Sequence, residues 1–136
     1  MTSYPKIYLY KRIVQAKLFI DDNYFEQIDL DNIADEACFS KFHFIRLFKK
    51  IYGYTPHNYL TKVRIERAKL LLQENLPITD VCYKIGFDSL GSFSVLFKKY
   101  SGLSPSEYQQ KYLQRQLLIQ KQPLQFVPNC FIEAKN

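Results

Sequence analysis

The sequence predicts an all-α fold of about seven helices, with two helix-turn-helix subdomains joined by a long linker helix. Three observations carry this. Apolar residues recur at helical spacing along much of the chain. Ser, Thr, Pro and Gly stand where helices would begin and end. The chain also repeats itself. Phe48-Lys49-Lys50-Ile51-Tyr52-Gly53-Tyr54-Thr55-Pro56-His57-Asn58-Tyr59 returns as Phe97-Lys98-Lys99-Tyr100-Ser101-Gly102-Leu103-Ser104-Pro105-Ser106-Glu107-Tyr108, an offset of 49 from Phe48 to Phe97. Upstream, Leu30, Ile33, Ala34, Ala37 and Phe39 pair with Ile78, Val81, Cys82, Ile85 and Phe87 at an offset of 48, which inserts one residue near Asp88 and Ser89. A repeat of this length is one supersecondary unit built twice. Two copies are too few for a solenoid, so the reading is two lobes.

In the first unit, Leu30, Ile33, Ala34 and Ala37 carry one helix with Asp29 as its N-cap. A break follows at Cys38, Phe39 and Ser40, and Ser40 caps the next helix, Lys41 to Tyr52, which stops at Gly53. Thr55-Pro56 restarts the chain as N-cap and N1 proline. The linker helix then runs from about Pro56 to Glu74, with Tyr59, Leu60, Val63, Ala68, Leu71 and Leu72 turned to the core. The second unit repeats the plan, with Gly86 at the break, a helix from about Leu90 to Ser101, the stop at Gly102, and Ser104-Pro105-Ser106-Glu107 as a capping box. The small residue at Ala34 or Cys82 suits close approach of paired helices. An ordinary helical hairpin would look similar; the duplication, the charge and the outward face of each second helix favour helix-turn-helix. The divisions are 8–54 for the first subdomain, 55–75 for the linker, 76–115 for the second subdomain and 116–136 for a C-terminal tail.

The second helix of each unit carries two stripes. In the first, Phe44, Leu47, Phe48 and Ile51 form a core stripe, and Phe42, Ile45, Arg46 and Lys49 form an outer one beside Lys41. A helix facing only water more often carries Glu and Lys. A helix entering the major groove needs an Arg for guanine, apolar groups for thymine methyls and a Lys for phosphate. In the second, Phe93, Leu96, Phe97 and Tyr100 face the core, and Gly91, Ser94, Val95 and Lys98 face outward with Leu90. That face has little hydrogen-bonding capacity, so the first unit is expected to do most of the direct readout, and the second to hold phosphate and sense shape. The linker, roughly 28 Å long at 1.5 Å per residue, is close to the ~34 Å between successive major-groove faces. Lys62, Arg64, Arg67 and Lys69 on it are candidate phosphate contacts, against the plainer reading of a solvated helix face.

Composition agrees. The chain of 136 residues has 19 Lys and Arg against 13 Asp and Glu, a formal charge of +6, which favours an anionic partner. Cys38, Cys82 and Cys130 are far apart and odd in number, which argues against a zinc site or a disulfide framework and for free thiols in the cytoplasm. No apolar run is long enough for a signal peptide or a membrane span. His43 and His57 are the only histidines, and no Ser/His/Asp or metal arrangement is evident, so neither catalysis nor a cofactor is expected.

These residues resemble the AraC/XylS family of bacterial transcription regulators over about 8–113. The resemblance is dense in Ile78-Thr79-Asp80-Val81-Cys82-Tyr83-Lys84-Ile85-Gly86-Phe87-Asp88-Ser89, Phe93-Ser94, Phe97-Lys98-Lys99 and Gly102 through Tyr108, with Arg64-Ile65, Ala68 and Leu71-Leu72 in the linker. It implies seven helices, the first containing Ile13, Lys17, Leu18 and Ile20, and the third and sixth serving as readers. It implies base contacts from Phe42, Ile45 and Arg46 on the third and from Leu90, Gly91, Ser94 and Val95 on the sixth. Many members have a polar residue or Arg where Ile45 and Val95 stand. The resemblance further implies a stand-alone, monomeric, sequence-specific regulator of double-stranded DNA, with RNA polymerase as a further partner. The alternatives are an output fragment of a larger effector-responsive regulator and a helical protein-interaction module. Some DNA-repair alkyltransferases join this module to a cysteine-rich metal domain, and such clustered cysteines are absent here. The apolar tail from about Gln116, with Phe126, Val127, Phe131 and Ile132, reads as an arm packed on the second unit or as a partner contact.

Overall fold

The computed structural model describes residues 6–31 and 40–121. Among these the regular structure is entirely helical: α1 (Lys6–Asn23), α2 (Lys41–Tyr52), α3 (Pro56–Gln73), α4 (Ile78–Lys84), α5 (Leu90–Ser101) and α6 (Pro105–Lys121). Leu30 and Asp31, directly after Asp29, are also helical, and residues 32–39 lie outside the described ones. The expected positions Ile33, Ala34, Ala37, Cys38, Phe39 and Cys130, and the tail residues Phe126, Val127, Phe131 and Ile132, also lie outside them.

The starts and stops obey local chemistry, twice over. Ser40 accepts a hydrogen bond from the His43 amide and Ser89 one from the Ser92 amide. Thr55 caps α3 through the Asn58 amide, and Ser104 caps α6 through the Glu107 amide. Each bond satisfies an amide that the first helical turn leaves without a partner. Gly53 and Gly102 close α2 and α5 in the left-handed region, at φ 81° and 84°. Their amides donate to Lys49 and Lys98 at 2.7 and 2.8 Å.

The buried residues fall into two clusters. Ile13, Ala16 and Ile20 of α1 pack with Phe44, Phe48 and Leu60. Ile65, Ala68 and Leu72 pack with Val81, Cys82, Ile85, Phe93 and Phe97. Each cluster has an edge-on aromatic pair at the same place in the repeat, Phe48 with Tyr59 at 5.8 Å and Phe97 with Tyr108 at 5.4 Å. The Tyr59 hydroxyl donates to Asp21 at 2.6 Å, and Lys17 bridges the same carboxylate at 2.7 Å, tying α1 to α3. Burial, with the Asp21 hydrogen bond second, pushes the Tyr59 phenol up to about 12. In the second cluster Tyr108 accepts from Gln73, and Gln109 donates to the Leu72 carbonyl in the last turn of α3 and to the Leu76 carbonyl just beyond it.

Helix α3 serves both clusters. Its first turns supply Leu60 to one, and the i, i+3, i+7 stripe of Ile65, Ala68 and Leu72 feeds the other. Ile65 was missing from the expected core list, and Val63 is only half-buried. At the other end of the chain α6 continues through Gln116, where the tail is expected to begin, to Lys121, with Leu117 and Leu118 exposed.

Arg64 joins the two halves. Its guanidinium donates to the Tyr24 carbonyl at 2.7 Å and the Glu26 carbonyl at 2.9 Å, after α1, and lies over the Phe87 ring of the second unit. Gln27 donates to the Gly86 carbonyl across the same seam. Gly86 has φ 97°, and a Cβ there would stand 2.8 Å from the Tyr24 carbonyl oxygen and 3.0 Å from the Arg64 guanidinium. Only glycine fits. Arg64 is therefore committed to protein, which corrects its placement among the candidate phosphate contacts. Arg67 stacks on Tyr24, and Lys62 pairs with Glu66 and lies over Tyr54.

This seam predicts unequal costs for three formally similar changes. A Cβ at Gly53 or Gly102 meets nothing within 4 Å, so Gly53→Ala and Gly102→Ala carry only the backbone cost, about 1 kcal/mol. Gly86→Ala adds a clash with backbone and is expected to cost about 2–4 kcal/mol. Urea denaturation of the three variants measures the difference; equal costs would show that the seam tolerates a side chain.

Candidate nucleic-acid interface

Helices α2 and α5 are each 12 residues long. They begin after a serine cap and end at a left-handed glycine, so their outer stripes start at the same register. Their inner faces are fixed by Phe44 and Phe48, and by Phe93 and Phe97, all fully buried. Leu47 and Leu96 are half-buried against the same clusters. Ile51 and Tyr100, expected in the core stripes, are instead exposed at 38% and 36%. Aromatic packing explains the first: Tyr52 sits 4.9 Å from Phe48 and 6.2 Å from Tyr59, filling the space under the last turn. In α5 that place belongs to Ser101, whose hydroxyl donates to the Phe97 carbonyl at 2.7 Å.

The outer face of α2 presents Phe42, Arg46 and Lys49 to solvent, with Ile45 half-buried at its edge. Phe42 is 77% exposed, an unfavourable place for a free phenyl ring in water. Lys41, at the first position of α2, lies 2.8 Å from Asp31 in an exposed ion pair. On α5 Leu90, Gly91, Val95 and Lys98 are exposed and Ser94 is half-buried. Val95 is 69% exposed. The structure thus brings Phe42, Ile45, Arg46 and Lys49 together on one helix face, and Gly91, Ser94, Val95 and Lys98 on the matching face of the other. Lys50 and Lys99, next in the two Lys pairs, are exposed in the last turns and add positive charge at each C-terminus. Sequence reasoning passed over them, although the doubled Phe-Lys-Lys signal contains them.

A model of the helix-turn-helix domain matches residues 33–111. The chain belongs to the AraC/XylS family of transcription regulators. It is 39% identical over 97 residues to the HTH-type transcriptional activator AarP of Providencia stuartii, covering 71% of this chain and 72% of AarP. Several other curated relatives are longer, and the chain spans 60%, 42% and 44% of three of them. The DNA-binding domain of the global transcriptional factor AdpA, solved in complex with a target DNA, superposes with a TM-score of 0.71 at 26% identity, over 76% of this chain and 95% of that one. An AraC-type regulator of Chromobacterium violaceum superposes with a TM-score of 0.66 at 27% identity, over 76% of this chain and 93% of that one. The matched range 33–111 spans both α2 and α5. Among the described residues no helix is long and apolar enough to cross a membrane.

Neighbouring phenylalanines separate the two faces of α2 experimentally. Phe44→Ala is expected to cost about 3–5 kcal/mol by opening the core. Phe42→Ala is expected to change stability by less than about 0.5 kcal/mol. Thermal or urea melts of both variants decide it, and a large loss for Phe42→Ala would mean that its face is structural.

Proposed function

We propose that this AraC/XylS regulator binds double-stranded DNA sequence-specifically by inserting α2 and α5 into adjacent major-groove segments. The observation that carries the reading is the pair of matched, identically capped helices. Each turns a pair of phenylalanines inward, Phe44 with Phe48 and Phe93 with Phe97, and an exposed, glutamate-free face outward. A solvent-facing phenyl ring beside an Arg and a Lys is costly in water and useful against base edges and sugar–phosphate. The net charge of +6 suits the same partner. AdpA's domain, with the same fold, was solved on its target DNA.

On this reading Arg46 reads a base, Phe42 and Ile45 pack against the groove wall, and Lys41, Lys49 and Lys98 hold phosphates. Lys41 exchanges its exposed Asp31 partner for phosphate at little cost. Leu90, Gly91, Ser94 and Val95 face the second groove segment with far weaker polar readout. One chain already carries two readers, so it binds as a monomer. A bound regulator of this kind acts in the cytoplasm and raises or lowers transcription by helping or blocking RNA polymerase. The chain uses no cofactor and performs no catalytic step.

Arg46→Ala is expected to cost about 1–3 kcal/mol on a site selected from random DNA and to relax one base position, while Val95→Ala costs far less. Gel-shift titrations on specific and random duplexes test this. Equal loss on both duplexes would reduce Arg46 to a phosphate contact, and equal costs for the two variants would remove the asymmetry. The wild-type affinity should also fall steeply with salt; a flat salt response would point to a protein partner instead.

A further inference from the structure

We propose that α5 recognises its half-site by fitting thymine methyl groups, with Gly91 as a notch and Val95 as its wall. This rests on the reading that α2 and α5 enter the major groove, and it names what the second helix selects.

The duplication sets Gly91 opposite Phe42, Ser94 opposite Ile45, Val95 opposite Arg46 and Lys98 opposite Lys49. The second unit thus lacks the ring and the guanidinium at two outward positions while keeping the flanking lysine. Nothing inside the protein requires glycine at 91. Its backbone is helical, and an added Cβ would meet only the Ser89 hydroxyl, at 3.7 Å, an ordinary contact. An exposed helical glycine is less stable than alanine because the unfolded chain gains more freedom from it. The sequence bears that cost without a return in packing, and close approach by another molecule would account for it. Beside Gly91 lies an open hollow of about 440 Å³, lined by Gly91, Ser92, Val95 and Leu96. Val95 projects at its edge, 69% exposed.

The chemistry of the hollow selects its occupant. In the major groove, guanine, adenine and cytosine present edges that need hydrogen-bond partners, and thymine alone adds an apolar mark, its C5 methyl. Val95 would strip water from a polar edge and offer no partner in exchange, which is unfavourable. Against a methyl group the same contact is favourable. Lys98, one turn on, and Lys99 supply the charge that holds the helix to the backbone. The second half-site is therefore read as thymine against the other three bases, by shape and apolar contact.

The test uses the whole chain and a duplex selected by it from random DNA. The half-site read by α5 is the one whose base preferences survive Arg46→Ala. Each thymine there is replaced singly by deoxyuridine, which removes only the methyl. At one position or more the wild-type chain is expected to lose roughly three- to fourfold in affinity, the worth of one buried methyl. Val95→Ala is expected to bind thymine and uracil duplexes equally. Gly91→Ala is expected to raise Tm by about 2–4 °C yet weaken specific binding about tenfold or more. The inference is overturned by a half-site without thymine, by indifference to uracil at every position, by a uracil penalty that persists in Val95→Ala, or by Gly91→Ala binding at full affinity. A chain that selects no duplex at all sinks the parent reading as well, whereas specific binding that ignores uracil sinks this inference alone.

Discussion

The arrangement of the molecule depends on how one guanidinium is held. Arg64 reaches from the middle of the linker helix to two carbonyls after α1 and lies over a ring of the second unit. The helix alone sets the distance between the units. Rotation of one about the other is fixed by contacts across the seam, and Arg64 makes three of them. Burial lowers its pKa, and the charge of Asp88 pulls the other way. Arginine stays charged under that burden where a lysine would be less secure, and its planar fork serves two acceptors and a ring face at once. Gly86 is the complement, since any side chain there would push the fork away.

Around that seam the two units have been conserved and varied in a physically sensible way. Many positions that cap or fill have their counterpart: Ser40 and Ser89, Gly53 and Gly102, Thr55 and Ser104, Phe48 and Phe97, Tyr59 and Tyr108. Of the outward positions the lysines repeat, whereas Phe42, Ile45 and Arg46 give way to Gly91, Ser94 and Val95. A cap or a buried ring has few acceptable replacements, because an amide loses its partner or a cavity opens. An exposed position answers only to what the helix touches, so the same scaffold can carry a polar reader in one unit and an apolar one in the other.

Much of this was legible in the residues. Helix ends are local events, and Ser40, Gly53, Thr55, Ser89 and Gly102 mark them without knowledge of the fold. The inward and outward faces of α2 and α5 follow from a period of 3.6, as the buried Phe44, Phe48, Phe93 and Phe97 show. Periodicity fails at helix ends: Ile51 continues the stripe by angle, but the adjacent Tyr52 fills the space. Ile65 and Arg64 were misjudged for a related reason. They lie where α3 passes from one cluster to the other, and the face that counts as inward changes there. Helix α6 runs on to Lys121, past residue 113 where the resemblance stops, and no helix breaker follows before Pro123. Arg46 and Val95 were recognisable as outward-facing, but the emptiness around Gly91 is a property of three-dimensional neighbours.

The unbroken run of α3 through both clusters has a further consequence for turnover. Leu60 anchors it at one end, and Ile65, Ala68 and Leu72 anchor it at the other. Loosening either half frays the rod on which its neighbour is assembled, so the opening of one is expected to lower the stability of the other. A protease that catches one half open would thereby gain access to the other as well.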